Sequence, residues 1–217
     1  MALNVTLKVA IVTGAGSGIN YSFAKLLLEN KCNAILADLA FRPEAAELVS
    51  SYSDGNTTPR TIFMLVDVTN WKQLEEMFEL AENEFGHADI ICPGAGVFEP
   101  TTSNFWIPPG TGSSSDLPQK NRIRHSISIC RTLFDHAISG FVRSLAALEQ
   151  PPNSNVPPIR VAAVAPGIVK THPYGLRAKK IQWLNSEKDQ WVTPEEVADV
   201  MLSLIWTDNY KGGMTWK

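Results

Sequence analysis

A strand-like run that ends in a glycine cluster and continues into a helical segment is the feature that most constrains this chain. Residues 8–13 (KVAIVT) are apolar and β-branched, as in a strand buried on both faces. Residues 14–18 (GAGSG) form a turn, and residues 19–30 place apolar side chains at helical spacing. This order predicts a sheet whose parallel strands are joined by helices.

The alternation continues along the chain. Further strands are predicted at residues 34–37, 61–66, 89–92 and 159–165, and helices at residues 43–49, 71–85 and 134–148. A last helix is predicted from Thr193-Pro194-Glu195-Glu196, a capping signature with proline in the first turn. Short connections favour right-handed crossovers. We therefore expect an α/β fold with a Rossmann-like, doubly wound parallel sheet, and residues 1–217 as a single dinucleotide-binding domain.

The glycine cluster predicts a phosphate site. Gly14, Gly16 and Gly18 let the backbone approach a pyrophosphate, and the following helix offers N–H groups and a positive dipole end. Asp38 lies 20 residues beyond Gly18, at the end of the second predicted strand. A carboxylate there can accept hydrogen bonds from an adenosine ribose and would repel a 2′-phosphate. The pattern favours NAD over NADP as the cofactor.

Charge and composition exclude several other classes. The net charge is −3, so the composition does not predict the basic surface that binds nucleic acid. No apolar run is long enough to span a membrane. Cys32, Cys92 and Cys130 lack C-x-x-C spacing, so we predict reduced thiols and no metal site. The N-terminus runs directly into a strand, leaving no room for a signal peptide. A cytoplasmic protein is the expectation.

Several motifs together resemble the short-chain dehydrogenases/reductases. They are the residue 13–19 turn (TGAGSGI), Val66-Asp67-Val68-Thr69, Gly94-Ala95-Gly96 where the family carries Asn-Ala-Gly, residues 136–146, and the Pro-Gly loop at residues 166–171. Within the family the chain looks most similar to fungal proteins of the 15-hydroxyprostaglandin dehydrogenase type. The resemblance implies these cofactor-binding residues: Gly14, Gly16, Ser17, Gly18, Ile19, Asp38, Asp67, Val68, Gly94, Ala95, Gly96, Pro166, Gly167, Ile168 and Thr171.

One departure lies in the turn itself. Asn20 replaces the third glycine of the family on the first turn of the helix. Its side chain either crowds the packing of helix on strand or faces solvent, and we favour solvent.

The resemblance also implies a proton-transfer apparatus, a Tyr-x-x-x-Lys pair, which we expect to be absent from the whole chain. In such enzymes a Tyr moves the proton, and a Lys four residues later lowers the pKa of that Tyr. Aligning residues 136–145 with the family helix puts Arg131 at the Tyr position and Asp135 at the Lys position. A second phasing puts Phe134 at the Tyr position. In either phasing the catalytic segment is degenerate.

The middle of the chain is short for the family. Residues 97–120 are rich in Pro, Gly, Ser and Thr and are predicted to form a loop or lid, so a helix and part of a central strand are missing. Residues 123–129 are read as a remnant of that strand, with Ser128, or Ser126, as the surviving catalytic serine. An apolar sheet face left without its helix would need cover from another segment, such as residues 105–107, or from a second subunit.

Three functional interpretations remain open. The first is a family relative that binds NAD but has lost hydride transfer, or has reused the pocket for cyclisation or isomerisation of a small apolar metabolite. The second is an NAD-dependent secondary-alcohol dehydrogenase with a substitute acid–base residue (Tyr21, Tyr174 or a His). The third is a pseudoenzyme subunit or an aberrant gene product. A homodimer, or pairing with an intact relative, is expected from the helix around residues 137–147.

Overall fold

A computed structural model of the chain describes residues 3–53, 58–96, 131–151, 157–171 and 191–216. It contains two compact units. The first comprises residues 1–96, 169–171 and 191–210, and the second comprises residues 97–168, 172–190 and 211–217. The elements in chain order are β1 (Val9–Thr13), α1 (Gly18–Glu29), β2 (Asn33–Asp38), α2 (Pro43–Ser51), β3 (Thr61–Leu65), α3 (Trp71–Phe85), β4 (Ile90–Cys92), α4 (Arg131–Ser144), a 3₁₀ turn (Ala146–Glu149), β5 (Ala163–Val164), β6 (Ile168–Val169), β7 (Trp191–Val192), α5 (Pro194–Trp206) and β8 (Thr215–Trp216).

The first unit is built on a parallel sheet with strand order β3-β2-β1-β4. The pairs Val9 with Asn33, Ala34 with Thr61 and Ala10 with Ile90 set its register. Every residue of β1 is buried, because β1 lies between two strands and beneath helices on both faces. The predicted Rossmann-like parallel fold is confirmed, and each strand of this sheet lies within about two residues of its predicted position.

Helices cover the two faces of this sheet. On one face, α1 and α5 pack together, and Phe23 and Leu27 of α1 join Leu202 of α5 in a core with alternate residues of β1 and β2. On the other face, Met77 and Ala81 of α3 cover the intervening strand residues. The alternation of the two faces along each strand follows from the two-residue period of β structure.

Helix ends follow the sequence signals. The Asn70 side chain accepts hydrogen bonds from the first turn of α3, and Gly86, with φ of 84°, ends that helix. Thr193 and Glu196 form a complete capping box at the start of α5, as predicted. None of the described helices is both long and apolar enough to cross a membrane.

The second unit contains α4, the 3₁₀ turn and a short parallel pair of β5 with β8. Glu149 links its parts, since one carboxylate oxygen accepts from Arg160 Nε at 2.8 Å and the other from the Gly212 N–H at 2.6 Å. The strand predicted at residues 159–165 is confirmed only at Ala163–Val164. The predicted helix at residues 134–148 begins earlier, at Arg131, and gives way to the 3₁₀ turn after Ser144.

Some predictions concern residues that the structure does not describe. The lid at residues 97–120, the shortened middle of the fold and Ser128 lie outside the described residues. The single-domain assignment stays a prediction.

Candidate functional site

The glycine turn between β1 and α1 is held against the end of β2. Gly14 has φ of 73° and Gly18 has φ of 67°, both in the left-handed region that glycine tolerates best. The N–H groups of Gly14 and Ala15 donate to the carbonyl of Ala37 at 2.7 and 3.2 Å. The turn therefore has a fixed conformation, and its backbone lies at the carboxyl edge of the sheet, where open α/β sheets bind ligands.

Asp38 contacts this turn directly. Its Oδ2 accepts a hydrogen bond of 2.8 Å from the N–H of Gly16. A Cβ on residue 16 would lie 2.9 Å from that same oxygen and 2.9 Å from the carbonyl oxygen of Ala40. The close approach requires glycine at position 16 and places a carboxylate beside the middle of the turn. Asp38 is also the last residue of β2, as predicted.

The start of α1 suits an anion. Ser17 occupies the N-cap position but its side chain accepts no hydrogen bond from the first turn, which also contains no acidic residue. The helix N-terminus thus presents backbone N–H groups and a positive dipole end without a competing carboxylate of its own first turn. A Cβ on Gly18 would lie 3.4 Å from Cγ2 of Thr171, so that threonine lies beside the turn.

Asp67 and Val68 follow β3, next to the end of β2. The N–H of Val66 donates to the carbonyl of Asp38 at 2.9 Å. Asp67 Oδ1 accepts from both the N–H and the hydroxyl of Thr69, at 3.0 and 2.7 Å. These bonds hold the segment at the same edge of the sheet as Asp38, and the Val68 side chain is exposed there.

The segment after β4 packs on the glycine turn from the other side. Ala95 N–H donates to the hydroxyl of Thr13 at 3.1 Å. A Cβ on Gly14 would lie 2.8 Å from Cα of Ala95. Thr13 is a contributor that the sequence interpretation named only as part of the turn motif, although a hydroxyl at the end of a buried strand is a signal for such a bond.

Asn20 does not turn to solvent as favoured from the sequence. Its Nδ2 donates to the carbonyl of Gly94 at 2.7 Å. The same nitrogen would lie 3.1 Å from a Cβ built on Gly14, so the side chain also borders the glycine turn. The side chain therefore joins the first turn of α1 to the segment after β4.

The structure thus brings together, in the first unit, most residues of the predicted cofactor set: Gly14, Gly16, Ser17, Gly18, Ile19, Asp38, Asp67, Val68, Gly94, Ala95, Gly96 and Thr171. Pro166, Gly167 and Ile168 belong to the second unit, where Ile168 begins β6. The residues that the sequence alignment placed at the Tyr and Lys positions, Arg131, Phe134 and Asp135, lie in α4.

The expected absence of a Tyr-x-x-x-Lys motif needs a correction. The spacing occurs once in the chain, at Tyr21 and Lys25 of α1. Its context differs from a catalytic dyad, because both side chains line a surface groove of about 210 Å³ between α1 and α5, together with Glu29 and Glu195.

The electrostatics of Tyr21 also oppose a proton-accepting role. Burial raises the pKa of the Tyr21 phenol above its ordinary value, and the carboxylates of Glu47 and Glu44 raise that pKa further. A general base near neutral pH needs the opposite shift. The Tyr21 phenol is therefore a poor proton acceptor at neutral pH. Within the described ranges no three His, Cys, Asp or Glu side chains cluster as metal ligands would.

Comparison with known proteins agrees with this geometry. The family profile described as "short chain dehydrogenase" matches residues 8–129, more than half of the chain. The 15-hydroxyprostaglandin dehydrogenase [NAD(+)] of Bos taurus is 27% identical over 98% of this chain and 91% of its own length. The hydroxynaphthalene reductase-like protein Arp2 of Metarhizium robertsii is 28% identical over 81% of this chain and 73% of its own length.

A solved structure shares the fold. The short-chain dehydrogenase/reductase (glucose/ribitol dehydrogenase) of Brucella melitensis superposes with a TM-score of 0.69 at 20% identity, covering 100% of this chain and 96% of that one. The matching profile, the parallel sheet and the glycine turn lead to one conclusion. The chain belongs to the short-chain dehydrogenase family.

Proposed function

We propose that the chain binds NAD(H) at the carboxyl edge of the sheet in its first unit. The observation that carries the proposal is the position of Asp38, whose carboxylate lies 2.8 Å from the N–H of Gly16 in the middle of the glycine turn. A nucleotide whose pyrophosphate lies on this turn has its adenosine ribose within reach of the same carboxylate.

The charge of Asp38 supports NAD(H) over NADP(H). A ribose 2′-hydroxyl can donate to a carboxylate, whereas a 2′-phosphate would bring at least one further negative charge beside it. The exposed apolar side chains of Leu39, Phe41 and Val68 lie on the two segments that follow β2 and β3 and offer surface for a flat base. The cofactor, when bound, supplies hydride chemistry, and the residues of the turn hold and orient it.

We propose further that hydride transfer by the usual Tyr–Lys route has been lost or replaced. The helix that should carry the dyad has Arg131 and Asp135 at the aligned positions, and a carboxylate there would raise the pKa of a neighbouring phenol. An apolar pocket can still accelerate a cyclisation or isomerisation by holding a small metabolite in a reactive conformer. That non-redox reaction on a small apolar substrate is the activity we favour.

A second candidate is an NAD-dependent secondary-alcohol dehydrogenase or ketone reductase. It is favoured by the names of the relatives. One of them, whose alignment covers 98% of this chain, is named as an NAD(+) dehydrogenase. It requires another acid–base group, and Tyr21 is unsuited because its pKa is raised and it lies in the α1–α5 groove. Tyr174, His125 and His172 fall outside the described residues, and Ser128 stays a proposed catalytic residue.

The compartment and the oligomeric state of the protein are proposed as well. We propose a cytoplasmic protein that forms a homodimer or pairs with an intact relative. The alternative is that the chain catalyses no reaction and is a pseudoenzyme subunit or an aberrant gene product.

The test is a calorimetric titration of the purified chain with NAD⁺, NADH and NADPH. Binding of NADH tighter than roughly 100 μM, about −5.5 kcal/mol, with weaker binding of NADPH, supports the proposal. No binding of any of the three to a well-folded chain contradicts it. Absorbance at the nicotinamide wavelength with a panel of secondary alcohols and ketones then separates the candidates, since turnover favours the dehydrogenase and rules out a loss of hydride transfer.

A further inference from the structure

Asn20 and Gly94 are 74 residues apart in the chain and in direct contact in the fold. Asn20 lies on the first turn of α1, and Gly94 lies in the segment that follows β4. The carboxamide Nδ2 of Asn20 donates to the carbonyl oxygen of Gly94 at 2.7 Å, and Oδ1 lies 4.0 Å from the thiol of Cys92. One side chain thus joins the glycine turn, through its helix, to the neighbouring strand end.

The same side chain occupies the space that a residue at position 94 would need. A Cβ built on Gly94 would lie 2.5 Å from Cγ of Asn20 and would also collide with its Oδ1 and Nδ2. The φ angle of Gly94 is outside the left-handed region, so backbone strain does not demand glycine there. With the Asn20 side chain in its observed place, position 94 has room for glycine alone.

We propose that Asn20 is the positioning residue of the nucleotide site, and that positions 20 and 94 together admit one side chain. Its carboxamide holds the Gly94–Ala95 segment against Gly14, where Cα of Ala95 already lies 2.8 Å from a Cβ built on that glycine. The family pattern has the two residue types in the opposite order, with glycine on the helix and asparagine in the loop. Here the carboxamide is on the helix and glycine is in the loop.

The part of this inference that concerns nucleotide rests on the proposed NAD(H) binding. The part that concerns the pair does not, because it predicts a coupling between two substitutions in the chain alone. A double-mutant cycle measures this coupling. The four chains are the native one, Asn20→Gly, Gly94→Asn and the double variant, and each is unfolded by heat and by urea without nucleotide. Gly94→Ala is the milder variant, should Gly94→Asn fail to fold.

Each single variant is expected to lower the Tm by about 2–4 °C, because each breaks the Asn20–Gly94 hydrogen bond. The double variant is expected to recover most of that loss, since the loop asparagine then enters the space that Asn20 has left. The control is Gly96→Asn in the same segment, where a Cβ meets nothing within 4 Å. Its Tm should stay near that of the native chain. Additive losses in the double variant, or a native-like Tm for Gly94→Asn, would overturn the proposal.

A second readout separates positioning from mere stability. Asn20→Asp keeps the shape but, when ionised, removes the donor and places a carboxylate against the Gly94 carbonyl. NADH affinity of this variant, measured by fluorescence titration, should fall about fivefold at pH 8 for the loss of one hydrogen bond. It should recover only as the pH falls towards the ordinary aspartic acid pKa of about 3.9, because the introduced carboxyl group can donate again once it is protonated. The native chain measured at each pH is the reference, and a loss that does not change with pH contradicts the positioning role.

The outcomes distinguish the two proposals. A stability coupling in a chain that binds no NADH leaves the pair established and refutes the proposed function. NADH binding that is equal in the native chain and in Asn20→Gly, without stability coupling, leaves the proposed function standing and refutes the role of Asn20.

Discussion

The carboxylate of Asp38 accepts a 2.8 Å hydrogen bond from the N–H of Gly16, so the end of β2 is attached to the middle of the glycine turn. Asp38→Asn keeps an acceptor for that N–H and removes the charge. We expect its folding stability to fall by about 1 kcal/mol or less. NADH should bind more weakly and NADPH relatively better, because the repulsion of a 2′-phosphate is gone.

Calorimetric titration of both nucleotides measures this shift in preference. Asp38→Ala is the companion variant, since it removes acceptor and charge together. If both variants keep the preference of the native chain for NADH, Asp38 does not select the cofactor.

Gly16→Ala tests the close approach in the same turn. A Cβ on residue 16 would lie 2.9 Å from both the Ala40 carbonyl oxygen and Asp38 Oδ2, and the first of these is backbone that cannot swing away. We expect a loss of about 1–3 kcal/mol in the free energy of unfolding, as for other overpacked sites. Urea denaturation measures it. Gly96→Ala, with open space around its Cβ, is the control, and equal stabilities of the two variants would contradict the geometry.

The capping box of α5 gives a prediction that involves no ligand. Thr193 Oγ1 accepts from the N–H of Glu196 at 3.2 Å, and the Glu196 carboxylate accepts from the N–H of Thr193 at 2.7 Å. Thr193→Ala should lower the unfolding free energy by about 1 kcal/mol. Glu196→Gln should cost much less, because glutamine also completes this motif. Thermal unfolding of the two variants side by side checks the order, and a reversed order would be inconsistent with the box.

Asp89 gives a prediction about pH. Its carboxylate accepts from Lys8 Nζ at 2.8 Å and from the N–H of Val9 at 2.9 Å, which attaches the start of β1 to the start of β4. Burial alone would raise the pKa of Asp89, but these two hydrogen bonds and the charges of His87 and Lys8 outweigh it and hold the pKa below its usual value. The stability contributed by a carboxylate with a lowered pKa is fully present above its ordinary pKa of about 3.9 and is lost as the pH falls through the folded value.

Asp89→Asn should therefore be less stable than the native chain by about 1 kcal/mol at pH 7, and the difference should shrink below about pH 4. Urea denaturation at a series of pH values measures it. Glu84→Gln, which breaks the more exposed ion pair with Arg60, is the control and should change stability by well under 1 kcal/mol. A difference for Asp89→Asn that is constant from pH 7 to pH 3 would refute the electrostatic account.

The sheet of the first unit could be predicted because its signals are local. The buried run of β1 and the capping box of α5 each act within a few residues of their own position. The bounds of α3, which were predicted from its apolar stripe, match the structure at both ends. The strand predicted at residues 159–165 is only two residues long in the structure, and its partner β8 was not predicted at all. Strands of that length depend on the partner across the pair, and two residues carry no periodicity.

The candidate site could likewise be predicted only where its signals are local. The spacing of Gly18 and Asp38 is a local pattern of one strand–turn–helix–strand unit, and both residues lie where it predicts. The direction of the Asn20 side chain is not local, because its acceptor is the carbonyl of Gly94 on another strand end. Tyr21 and Lys25 illustrate the converse. Their spacing matches a catalytic motif, but the helix that carries them turns both towards the α1–α5 groove.

The collision between residues 20 and 94 also limits how this site can change by single substitutions. Asparagine at both positions requires the Asn20 carboxamide to leave its present place, since a Cβ on residue 94 would lie 2.5 Å from Cγ of Asn20. Glycine at both positions removes the carboxamide from the contact altogether. Either intermediate on a stepwise route between the family arrangement and the present one therefore lacks the Asn20–Gly94 hydrogen bond.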